Sequence, residues 1–204
     1  EIIIIDKYVT IYSSMESDKP YDAAFAKNKA VQSRSFKQLK AANEQEWSKV
    51  WKKSNITIDG DDEVDLSVRY SLFQLLIAAP HWSDRMSIPA KTLSGYGYRG
   101  HIFWDTEIFM LPFFIYTQPE LARNMLVYRY RTLPGARRKA KLNGYHGAMY
   151  AWESAATGEE TTPRWIPVWN KRTNKDELVR IWCGDIEYHI TADVAYGVMQ
   201  YWQA

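Results

Sequence analysis

The rhythm of hydrophobic and polar positions changes several times along the chain. Ile2 to Tyr12 opens with four consecutive isoleucines and continues in looser alternation through Tyr8, Val9 and Ile11 to Ser13-Ser14, a pattern that predicts a β-strand. From Tyr21 to Trp51 nothing breaks a helix. Phe36, Leu39, Trp47 and Val50 recur there at helical spacing among lysines and glutamates, which predicts one or two amphipathic helices. Asn55 to Glu63 is polar and turn-rich, with Asp61 or Asp62 placed to cap a helix starting near Asp65. Leu66, Tyr70, Phe73, Leu76 and Ile77 then form an apolar face broad enough for a helix buried on most sides, and Pro80 closes it. His81 to His101 reads as a long functional loop.

Asp105 to Tyr116 predicts a buried helix kinked near Pro112, with too few apolar positions to cross a bilayer. Pro119 suits the first position of the next helix, whose stripe is Leu121, Met125, Leu126 and Tyr128, and Leu133-Pro134-Gly135 is expected to end it. Ala136 to Leu142 then gives a short basic helix capped by Gly144, Tyr145 to Trp169 another loop, and Lys171 to Glu177 a polar turn. The last helix is expected from Asp185 onward. The fold class is therefore mainly α. Helices alternating with long loops fit part of an α/α toroid, in which helix pairs surround a pocket and the loops gather at one end.

Charge narrows the choice of ligand: 26 basic and 24 acidic residues leave a net charge of +2, so no global field draws the protein to nucleic acid or an anionic membrane. Neutral small molecules fit better. Aromatic residues make up 15%, including 9 Trp and 14 Tyr, as expected of a ring-lined pocket or a ring-rich core. A single cysteine, Cys183, forms no internal disulfide, and with no leader-like or membrane-length apolar run the reading is cytoplasmic. The chain starts without methionine and stops inside a helical pattern, so it reads as a piece of a larger protein.

Two dipeptides carry the candidate chemistry. Trp104-Asp105 stands where a glycine-punctuated loop meets the apolar run, and Trp152-Glu153 repeats the pairing on another loop. A flat ring covers the C–H face of a sugar while a neighbouring carboxylate accepts two hydroxyl hydrogen bonds. The plain alternative for the first pair is a buried tryptophan followed by a helix-capping aspartate. Asp185, His189 and Asp193 lie four residues apart, which would set them in a row on one helix face as metal ligands, a polar relay or a sugar-facing histidine held by carboxylates. A sugar-facing His189, or a His189 held by Asp185 or Asp193 as packing, is preferred, and no metal is expected. The basic run ARRKAK after YRYR is read as a solvated helix face and not as a nucleic-acid site.

The stretches GYRGHIFWDTEIF, LARNMLVYRYRTLPGARRKAKLNGYHGAMYAWESAATGEETTP and RIWCGDIEYHITADVAY, in that order, resemble the central region of glycoside hydrolase family 65. The resemblance covers about Asp65 to Ala204, and Tyr96 departs from it where related sequences often carry an acidic residue. It implies residues 1–14 as the end of an amino-terminal β-sandwich, 15–60 as linker helices and 61–204 as the first part of an (α/α)6 barrel. It also implies an inverting phosphorylase of an α-linked glucose disaccharide, with inorganic phosphate as co-substrate and no cofactor. A trehalose hydrolase of the same family and a non-catalytic carbohydrate-binding helical domain are the alternatives. The family's acid, a glutamate, and most of its phosphate site would lie beyond Ala204. Trp104, Asp105, Trp152 and Glu153 would form the glucose-holding wall, joined by Arg99 and His189. Partners would be the sugar, phosphate and the rest of the parent chain, with a homodimer admitted.

Overall fold

The computed structural model describes residues 3, 5–92 and 95–204. The chain divides into two compact units, Glu1–Lys53 and Ser54–Ala204. In the first, α1 (Pro20–Gln32) and α2 (Phe36–Ser54, whose last residue opens the second unit) are the expected helices. Of the segment expected as a strand, Ile2 and Ile4 lie outside the described residues, and residues 5–12 are neither strand nor helix. An isolated strand leaves its backbone groups unpaired. This segment instead runs along α1, where Thr10 Oγ1 donates to the Ala24 carbonyl at 2.8 Å and Asn28 Nδ2 donates to the Tyr8 carbonyl at 3.3 Å.

The second unit begins with α3 (Asp62–Ala78). Asp61 caps it, its Oδ1 accepting from the Val64 N–H at 3.0 Å, and acidic residues fill the first turn where the helix dipole favours them. The face expected to be buried is only partly so: Leu76 is enclosed and Phe73 and Ile77 are half-buried, whereas Leu66 and Tyr70 are exposed.

The helix expected from Asp105 divides into two pieces, a π-turn at Thr106–Met110 and α4 (Leu111–Thr117). The kink therefore falls ahead of Pro112, which occupies the first turn of α4, where its missing N–H costs nothing. The Leu111 N–H reaches back five residues to the Thr106 carbonyl. Such a widened turn lets two consecutive side chains, Thr106 and Glu107, both point inward and become fully buried.

A single helix, α5 (Pro119–Leu142), replaces the two expected on either side of Leu133-Pro134-Gly135. Pro134 is exposed inside it. Gly135 serves a close approach and not a stop, because the backbone of Thr157 and Gly158 lies directly against it. Leu121, Met125, Tyr128, Thr132, Ala136 and Lys139 are buried at intervals of three and four, forming one stripe along α5. The π-turn, α4, α5 and α7 (Ile190–Gln203) pack on one another around Leu111, Phe114, Met125 and Ile190.

Two strands stand where the end of a loop (Tyr145 to Trp169) and a polar turn (Lys171 to Glu177) were expected. β1 (Trp165–Asn170) and β2 (Lys175–Arg180) form an antiparallel hairpin in register Trp165↔Arg180 through Asn170↔Lys175. The expected helix from Asp185 is interrupted as well: α6 (Cys183–Ile186) ends at Glu187, and α7 starts only after His189. No helix of the described residues is long and apolar enough to cross a membrane.

Candidate functional site

The two loops bearing the Trp-carboxylate pairs lie side by side. Ile102 and Ser154 exchange both backbone hydrogen bonds, Ile102 N–H to the Ser154 carbonyl at 2.9 Å and Ser154 N–H to the Ile102 carbonyl at 3.0 Å. Residues following Ile102 thus run against those preceding Ser154. The ring of Phe103 meets that of Trp152 edge-on at 4.8 Å, and Tyr98 packs against Phe103 at 4.7 Å. Trp104 meets the ring of His189 edge-on at 4.9 Å. Phe103 is buried and the two tryptophans are half-buried, so each tryptophan keeps ring surface open beside a carboxylate.

Those carboxylates are held differently. Asp105 precedes the π-turn in the capping position, yet its side chain makes no capping bond and has no hydrogen-bond partner among the described residues. The plain capping alternative is absent, leaving a half-buried carboxylate that can accept. Glu153 is 4% exposed, and its Oε1 lies 2.6 Å from His101 Nδ1. A carboxylate only accepts, so Nδ1 carries the hydrogen. His101 Nε2 has no partner among the described residues and remains free to bond a ligand hydroxyl. The Glu153 carbonyl receives the Thr161 N–H and hydroxyl, both at 2.9 Å.

Glu160 anchors the second loop from behind. It accepts from the Trp152 N–H at 2.9 Å, the Glu153 N–H at 3.2 Å, the Thr162 hydroxyl at 2.6 Å and Lys139 Nζ at 2.5 Å. Beneath both loops Arg129 of α5 is fully enclosed. Its Nε and Nη2 grip Glu107 Oε1 and Oε2 at 2.8 and 2.7 Å, and Nη2 also donates to the Phe103 carbonyl at 2.8 Å. Burial works against the guanidinium charge, but the Glu107 carboxylate outweighs it and holds Arg129 protonated above its usual range. Burial also pushes the neighbouring Tyr128 hydroxyl up, and that hydroxyl bonds Ser154 Oγ at 3.0 Å.

The expected row of Asp185, His189 and Asp193 does not form, because the helix breaks between Asp185 and His189. Asp185 turns to Arg180 and Arg164. His189 Nδ1 lies 2.5 Å from Asp193 and Nε2 lies 3.3 Å from Glu187. Partial burial lowers its proton affinity, the hydrogen bonds to Asp193 and Glu187 raise it, and the net direction is upward. Among the described residues no three His, Cys, Asp or Glu side chains are grouped to hold a metal. Arg99 is exposed on a left-handed backbone next to Tyr98 and has no polar contact with the other candidates. Tyr96 is fully exposed.

His101, Glu107, Arg129, Glu160 and Thr161 were not singled out from the sequence. Arg129 and Lys139 fall in the basic run read as a solvated face, although their spacing from Leu121 and Met125 places them on the buried stripe of α5.

Residues 69–204 match the family model described as the glycosyl hydrolase family 65 central catalytic domain. The chain is 47% identical to kojibiose phosphorylase of Halothermothrix orenii across 100% of its own length and 27% of that protein's. It is 40% identical to kojibiose hydrolase of Flavobacterium johnsoniae over 78% of this chain and 21% of the relative. Among solved structures, one assigned as a kojibiose phosphorylase from the human microbiome superposes with a TM-score of 0.75 at 30% identity, covering 88% of this chain and 23% of the other. The chain thus spans about a quarter of the length of the curated relatives it matches.

Proposed function

Starting from a chain that belongs to glycosyl hydrolase family 65, we propose that the whole protein is an inverting disaccharide phosphorylase. It cleaves an α-linked glucose disaccharide of the kojibiose type with inorganic phosphate, releasing glucose and β-glucose 1-phosphate in the cytoplasm. The observation that carries the sugar-binding reading is the free Asp105 carboxylate beside Trp104, set by the Ile102–Ser154 bridge against the loop of Trp152 and Glu153. Residues 61–204 form the first part of the barrel and supply the glucose wall. The tryptophans cover the ring faces, Asp105 and Glu153 accept hydroxyl hydrogens, and His101 Nε2 offers a further polar contact. Arg99 and His189 border this wall.

In an inverting reaction the acid protonates the glycosidic oxygen while the nucleophile attacks the opposite face of the sugar. Phosphate is already anionic and needs no base, only cationic and hydroxyl groups to place it. That acid and those groups belong to the part of the protein outside this chain. Contacts from the wall that strengthen as the glucose flattens toward its oxocarbenium-like transition state lower the barrier, whereas contacts of constant strength alter only KM. A hydrolase is the second reading, favoured by the 40% identity to the Flavobacterium johnsoniae kojibiose hydrolase. The test is to incubate full-length enzyme with kojibiose, nigerose, maltose and trehalose, with and without phosphate. Cleavage of kojibiose that requires phosphate is expected; equal glucose release without it would make the protein a hydrolase.

A further inference from the structure

One buried group touches both sugar-facing loops yet neither of their ligand-facing side chains. Arg129 is 1% exposed, and its guanidinium holds the carbonyl of Phe103, immediately before Trp104, and the carboxylate of Glu107, two residues after Asp105. Its Nη1 also lies 3.5 Å from Ser154 Oγ, in the residue after Glu153. One rigid fork therefore braces the Trp104-Asp105 pair from both sides and reaches the end of the Trp152-Glu153 pair. Its own backbone is fixed in turn, since the Tyr150 hydroxyl donates to the Arg129 carbonyl at 3.0 Å. Glu107 is equally enclosed, 1% exposed in the widened turn that aims it inward.

We propose that Arg129 and Glu107 are a positioning pair that sets the register of the two Trp-carboxylate loops, so that they contribute to turnover beyond their contribution to folding. This rests on the reading of those loops as a glucose wall. Three features point to positioning and not to bulk stability. A buried ion pair is a poor stabiliser compared with apolar side chains of equal volume, so stability alone does not call for one here. The planar fork satisfies Glu107 and the Phe103 carbonyl together, a geometry a lysine ammonium on its flexible stem does not reproduce. The contacts also converge on the backbone that presents the candidate ligand groups, where a displacement of about 1 Å is costly for catalysis.

The experiment uses the full-length enzyme, the double variant Arg129→Met/Glu107→Leu and the single variant Arg129→Lys. Thermal unfolding is measured together with kcat and KM for kojibiose. The double variant removes both charges at once and keeps apolar volume, so it is expected to unfold near the wild-type temperature while kcat falls by roughly a hundredfold. Arg129→Lys is expected to fold and to lose at least about tenfold in kcat, with KM changed by less than about threefold. If the double variant does not fold, Arg129→Lys decides. Wild-type kcat in either folded variant would overturn the proposal. Failure of Arg129→Lys to fold would overturn it too, by making the pair a requirement of the fold and not of loop register. A wild-type enzyme that cleaves kojibiose only by hydrolysis would refute phosphorolysis separately, with the same kcat comparison then made on hydrolysis.

Discussion

Replacing Gly135 by alanine tests whether the loop that carries Trp152 and Glu153 is fixed by its contact with α5. A Cβ at this position would sit 2.4 Å from the Thr157 carbonyl oxygen and 2.5 Å from the Gly158 carbonyl carbon. Favourable contact lies near 3.5 Å or beyond, so the new methyl overlaps by roughly 1 Å with main-chain atoms that no rotamer change removes. Alanine gains about 1 kcal/mol over glycine inside a helix, whereas overpacking costs about 1–3 kcal/mol and reaches the top of that range against backbone. The net expectation is a loss of about 2 kcal/mol, with the 155–161 segment displaced and Glu153 moving with it through its bonds to Thr161. Urea unfolding and kcat/KM of the full-length variant measure both effects. Gly144→Ala is the control: its φ of +79° strains an L-residue, but nothing lies within 4 Å of the added methyl, so stability falls while kinetics stay unchanged. A Gly135→Ala protein as stable and as active as wild type would refute the close-approach argument.

Asp105→Asn and Glu153→Gln in the full-length enzyme are each expected to lower kcat/KM by about a hundredfold or more, about 3 kcal/mol. Near-normal kinetics with a lower Tm would instead assign these carboxylates to packing. Because the His189 proton affinity is raised in the folded state, protonated His189 stabilises the fold in full below its unfolded pKa, and this is lost as pH rises through the folded value. The Tm difference between wild type and His189→Gln should therefore be largest at acid pH and vanish on the alkaline side; a difference independent of pH would contradict this. The isolated 204-residue chain is expected to show no turnover of kojibiose and to bind a hydrophobic dye through exposed side chains such as Trp165, Trp169, Met199 and Trp202. Measurable phosphorolysis by that chain would show that the acid is not required from outside it.

Helix content was legible wherever periodicity was strong, as in α2, the cap of α3 by Asp61 and the start of α5 at Pro119. What the sequence concealed were features decided by tertiary contact. Leu133-Pro134-Gly135 carries a local stop signal, but the packing of α5 on its neighbours overrides one proline, and the glycine answers to the loop at Thr157. The hairpin was missed because Pro167 interrupts β1 and the exposed β2 shows no apolar alternation. Both Trp-carboxylate pairs were legible as residue types. The support beneath them was not, since Glu107 and Arg129 lie 22 positions apart and meet only because the widened turn points Glu107 inward.

The most direct test of the account follows the reaction by proton NMR as full-length enzyme converts kojibiose in phosphate buffer. The early spectrum is expected to show the anomeric signal of β-glucose 1-phosphate growing in step with free glucose, because attack by phosphate on the face opposite the leaving sugar inverts the anomeric centre. Appearance of α-glucose 1-phosphate, or of glucose with no sugar phosphate, would contradict it.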